Sequence, residues 1–67
     1  MDKDEAARKL LEGVDSGKWK TVREVTADMD GYEASDEPTV MAALEELISS
    51  RQILAEWRGQ TPVLKRP

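Results

Sequence analysis

The chain has no cysteine and no histidine. Without thiols there is no disulfide framework and no thiolate nucleophile, and without imidazole the commonest general base and a leading metal ligand are both missing. Long apolar runs are missing as well. None approaches the ~20 residues that span a bilayer, and the acidic start Met1-Asp2-Lys3-Asp4-Glu5 is unlike the basic-then-apolar lead of a signal peptide. The expectation is a cytoplasmic protein with no membrane contact. There is no Gly-rich loop to cradle a phosphate, no carboxylate pair in an apolar setting that would raise one pKa, and no nucleophile with a base to serve it. These absences point to a non-catalytic protein with no cofactor and no metal.

What is present fits one small globular domain spanning 1–67. Apolar residues at 39% are too many for a disordered tail, and charged residues at 36% are ordinary for a solvated surface. A core this small, with no disulfide or metal, sits near balance between burial and chain entropy, so a partner or a second copy of the chain would add stability.

Apolar spacing lays out the elements. Ala6, Ala7, Leu10, Leu11 and Val14 form one stripe of a 3.6-residue period, predicting a helix over 3–14 led by acids at 2, 4 and 5 that suit the positive end of its dipole. Lys18-Trp19-Lys20 alternates as a very short strand. Thr21-Val22-Arg23-Glu24 is a capping-box pattern, so a second helix is predicted from Thr21, with Val22, Val25 and Met29 on its inner face, until Asp30-Gly31 stops it. Ser35 or Asp36 is the expected N-cap of a third helix over 37–51, with Pro38 tolerated in its first turn. Its apolar face is predicted from Val40, Met41, Leu44, Leu47 and Ile48. Residues 53–66 read as a hairpin turning at Gly59-Gln60, with Pro62 on an outer edge because it lacks a ladder donor. Trp19 and Trp57, aromatics on alternating strands of a small chain, are expected in the core; the other reading of each is a contact with a base or a partner.

Trp19 in its mini-strand, Thr21-Val22-Arg23-Glu24-Val25, Leu44-Glu45-Glu46-Leu47-Ile48 running into Ile53-Leu54, and the turn at Gly59 together give the order helix, strand, helix, helix, hairpin. That order resembles the winged helix-turn-helix family over nearly the whole chain. A weaker likeness is to the small dissimilatory sulfite reductase D protein, whose second strand also ends in an aromatic before the wing. The resemblance implies an α+β fold of three helices, a short first strand and a C-terminal β-hairpin wing. It also implies a third helix lying in the DNA major groove, with the wing on the backbone.

Charge argues against that docking. The formal net charge is −4, and residues 24–50 hold the acids Glu24, Asp28, Asp30, Glu33, Asp36, Glu37, Glu45 and Glu46 with no base at all. Major-groove readers use Arg, Lys, Asn or Gln, whereas this helix begins Glu37-Pro38-Thr39. Two functions follow. The leading one is a regulatory or adaptor module binding another protein or itself, with Trp57, Glu45 and Glu46 as candidate contacts. The alternative is a DNA-binding regulator using Lys18, Lys20, Arg58, Lys65 and Arg66 on the sheet; exposed charges of this kind also keep a sheet edge soluble.

The acidic stretch from Thr26 to Glu37 carries part of a ligand pattern. With Thr26 as position 1, Asp28, Asp30, Gly31 and Glu37 fall where a calcium-binding EF-hand loop carries ligands and its sharp-turn glycine. Thr at the first ligand, Glu33 at position 8 and Pro38 just after the loop break the pattern. A solvated acidic turn in which Gly31 ends a helix is the preferred reading.

Overall fold

The computed structural model describes all 67 residues. The chain is α+β, with three helices and a three-stranded antiparallel sheet: α1 (Lys3–Gly13), β1 (Lys20–Thr21), α2 (Val22–Ala27), a 3-10 turn (Ala34–Asp36), α3 (Glu37–Ser49), β2 (Leu54–Arg58) and β3 (Thr61–Lys65). The last strand is the central one, in the order β1-β3-β2. Leu64 and Val63 face Lys20 and Thr21 on one side, and Ala55 and Glu56 on the other.

Each helix starts for a local reason. The Asp2 carboxylate accepts from the Glu5 N–H at 2.8 Å and caps α1. The capping box of α2 is formed: the Thr21 hydroxyl oxygen accepts from the Glu24 N–H at 3.1 Å, and the Glu24 carboxylate accepts from the Thr21 N–H at 3.4 Å. This helix stops at Ala27, sooner than its apolar spacing implies, because the chain tightens into turns. There the Met29 N–H donates to Thr26 O and the Tyr32 N–H to Met29 O. Met29 is buried all the same.

At the head of α3 the expected cap works differently. Asp36 occupies the N-cap position, but its backbone is already helical and its side chain makes no cap bond to α3. The 3-10 turn runs straight into the helix, so the Asp36 carboxylate turns back and accepts from the Glu33 N–H at 2.9 Å and the N-terminal ammonium at 3.2 Å. Pro38, in the first turn, removes one of the donors that would otherwise need a partner. The far end of α3 closes in a Schellman motif. The Gln52 N–H donates to Leu47 O at 2.9 Å and the Arg51 N–H to Ile48 O at 3.0 Å, with Arg51 at φ 63°. Glycine usually fills that left-handed position; here an Arg does.

The core joins Ala6, Leu10 and Val14 to Val25, Met29, Val40, Ala43, Leu44, Leu47, Ile53 and Leu64, with no buried polar or charged residue. Four expectations are corrected. Met41 is not on the buried face of α3; it is 36% exposed, and Ala43 takes its place beside Leu44. The true stripe is Val40, Ala43, Leu44 and Leu47, and Met41 lies about 100° round the helix from Val40. Neither tryptophan belongs to the core. Trp19 is half-buried just before β1, and Trp57 is 70% exposed on an edge strand whose one extensive neighbour is β3. Finally, Pro62 lies on the central strand, although opposite a stretch that β1 does not reach, since β1 pairs only with Val63 and Leu64. The missing N–H therefore costs no ladder bond.

The hairpin turns through Gly59 at φ 65°, a positive value at the first central position that a side chain would strain, as in a type II′ turn.

Two stability measurements test this account. Leu44→Ala should cost about 2–5 kcal/mol, comparable with the ~3–5 kcal/mol that a core of this size supplies, and leave the chain largely unfolded by circular dichroism. Arg51→Gly should do the reverse. Relief of the left-handed strain, less the added chain entropy of glycine, leaves a gain of about 0.5–1 kcal/mol, or a rise in Tm of about 2–8 °C.

Candidate functional site

The strand-borne bases separate into two groups because alternate residues of a strand face opposite ways. Cross-strand pairing puts Leu54, Glu56, Arg58, Thr61, Val63 and Lys65 on one face with Thr21, and Ala55, Trp57, Pro62 and Leu64 on the other with Lys20. Leu64 is a core residue, so the second face is the one that carries the helices.

On the outer face, Trp19 gathers two cations. The Lys65 Nζ stands 4.9 Å from its ring centroid and the Arg58 guanidinium carbon 5.4 Å, both within cation–π range. Arg58 also reaches Glu56, Nε to Oε1 at 3.6 Å. Lys18 is exposed nearby in sequence and makes no ion pair.

Lys20 and Arg66 serve a different end. Helix α1 has no base in its last turn to meet its carbonyl dipoles. The Lys20 Nζ donates to Gly13 O at 3.1 Å, and the Arg66 guanidinium donates to Leu11 O from Nε at 3.1 Å and from Nη2 at 2.5 Å. The Arg66 backbone N–H donates to Asp15 O. These two cations cap α1 from a distance in sequence, so of the five bases only Lys18, Arg58 and Lys65 remain for an outside partner.

The candidate protein contacts are also apart. Glu45 and Glu46 are exposed on α3, Glu46 held by the Lys3 Nζ at 2.7 Å, whereas Trp57 stands on the free side of β2 beside the hairpin turn. Leu54, 39% exposed, begins the same strand.

In the acidic turn, no three carboxylates of the chain gather round one point. A lysine ammonium is there instead: the Lys9 Nζ donates to Asp30 O at 2.5 Å, and its other contact is Glu5 Oε2 at 3.0 Å. Gly31 bends the chain at φ 75°. One carboxyl is displaced in its titration. Asp36 is held below its ordinary value of 3.8 chiefly by the Glu33 N–H, then by the bond and charge of the N-terminal ammonium and the charge of Lys9, against a smaller desolvation effect. It is therefore ionised at neutral pH and acts as a tether between the chain start and the head of α3.

Sequence reasoning missed the Trp19 platform. Two strands from distant segments must pair in the observed register before Arg58 and Lys65 share a face with Trp19. The alternation of 54, 56, 58 with 61, 63, 65 carried the hairpin half of that signal, but nothing in the sequence indicated that Lys20 would pair with Leu64.

Compared with protein-family models, with curated proteins and with solved structures, the chain matches none.

The Asp36 tether sets a pH dependence. A carboxyl whose folded pKa is depressed adds stability above its unfolded value of 3.8 and loses that contribution as pH falls through the lower folded value. In a Tm series between about pH 5 and pH 2, Asp36→Asn should melt below the wild type at the upper end, and the gap should close on acidification. A gap independent of pH would contradict the tether.

Proposed function

We propose that the chain is a small winged-helix module, a regulatory or adaptor protein that works through protein contacts made by its wing. The order α1, β1, α2, α3, β2, β3 around a β1-β3-β2 sheet supports the fold reading. One observation carries the function: the element that would enter a major groove, α3, lies in a segment with eight acids and no base, whereas the most exposed large apolar side chain, Trp57, stands on an unpaired strand edge. Phosphates would be repelled by Glu37, Glu45 and Glu46. An exposed Trp flanked by Glu56 and Arg58 is the composition of a protein hot spot.

A second reading rests on its own observation. Lys18, Arg58 and Lys65 lie close to Trp19 in sequence or in space, which is a basic, aromatic surface of the kind that meets a nucleic-acid backbone.

Duplex binding separates the two. By fluorescence anisotropy at near-physiological ionic strength, the wild type should bind duplex DNA more weakly than the ~10⁻⁴–10⁻⁶ M typical of non-specific binders. Salt-sensitive binding in or below that range, lost in Arg58→Glu with Lys65→Glu, would overturn the protein-binding reading. The positive arm is a nuclease-treated pull-down, in which Trp57→Ala should lose a partner that the wild type retains.

A further inference from the structure

The free edge of β2 has no neighbour within the chain. All five of its residues are exposed, and apart from the charges of Glu56 and Arg58 the edge is unprotected: no Pro, no Lys, no covering helix. The two-residue loop makes Arg58–Thr61 a hydrogen-bonded pair, and alternation extends that to Glu56–Val63 and Leu54–Lys65. The N–H and C=O groups of Ala55 and Trp57 therefore point away from β3, towards solvent.

Resting on the protein-binding reading, we propose that this edge docks a second copy of the same chain, two β2 strands pairing antiparallel about a two-fold axis at Trp57 to join two three-stranded sheets into one. An isologous contact of this kind makes each residue pair occur twice. In this register Trp57 faces the partner's Trp57 as a hydrogen-bonded pair, and Glu56 faces the partner's Arg58 while Arg58 faces the partner's Glu56. The strand is thus complementary to itself in charge and in aromatic pairing. A register centred on Glu56 sets two glutamates directly opposite each other, and one centred on Ala55 sets Glu56 opposite the partner's Leu54, so neither forms the charge pairs. Charge selects the first register, and a second copy is the one strand certain to carry the matching charges in the matching order. The helices of both copies lie on the same side of the joined sheet, away from Trp19, Arg58 and Lys65.

Sedimentation velocity over a concentration series tests the register. The wild type should move from the 7.5 kDa chain to twice that mass as concentration rises. Glu56→Arg alone and Arg58→Glu alone should each weaken association by about tenfold, since both copies of the charge pair become repulsive. The double variant Glu56→Arg with Arg58→Glu should restore it, and Trp57→Ala should weaken it. All of these side chains are exposed, so every variant should remain folded by circular dichroism; each single charge change loses only the Glu56–Arg58 pair within the strand, and Arg58→Glu the Trp19 contact besides. A single 7.5 kDa species up to about 1 mM, or a dimer indifferent to Glu56→Arg, would overturn the proposal. So would a double variant that fails to restore association. A monomer that still captures another protein through Trp57 overturns self-pairing alone, whereas salt-sensitive duplex binding counts against the broader reading.

Discussion

The pairing of β3 with both of its neighbours is the constraint on which the molecule rests. The strand is the last in sequence and the middle one in space, so neither β1 nor the hairpin edge has a sheet to join until residues 61–65 arrive. Leu64 brings the sheet into the core with Leu10, Leu44 and Ile53, and two residues further on Arg66 closes the carbonyl end of α1. A helix formed at the start of the chain is thus completed by a cation at its end. Such non-local closure costs loop entropy before any contact repays it, which favours a cooperative, all-or-none unit.

The same closure determines which charges are free. Lys20 and Arg66 satisfy helix carbonyls and are spent within the fold, while Arg58 and Lys65 rest on Trp19. The acids of α3 face solvent with one cation, Lys3, among them. The surface is consequently acidic along the helix, basic and aromatic on the outer sheet face, and exposed and apolar at Trp57. That division favours contact through the hairpin over contact through α3.

Elements with strong local signals were legible in the sequence. The capping box at Thr21, the hairpin about Gly59-Gln60 and the burial of Leu44 and Leu47 each follow from a few neighbouring residues, and each is found. Errors arose where tertiary context decides. Met41 and Ala43 differ by two positions on one helix, and only the seat of α1 against α3 determines which is covered. Trp57 alternates as a core residue would, but β2 is an edge with nothing packed over it. Pro62 breaks the rule for central strands only in appearance, because β1 is two residues long. Of the candidate site, the residue types were legible and their division was not. Lys20 and Arg66 read as free bases until the C-terminus of α1 is seen to lack its own.

Residue-resolved amide hydrogen exchange, measured at a dilute and a concentrated condition, tests the central claim that β3 closes the fold and the β2 edge is its open surface. The account predicts that the Leu64 amide is protected at both concentrations, while the Ala55 and Trp57 amides exchange freely when dilute and gain protection only when concentrated. Protection of Ala55 and Trp57 at high dilution, or an unprotected Leu64, would contradict it.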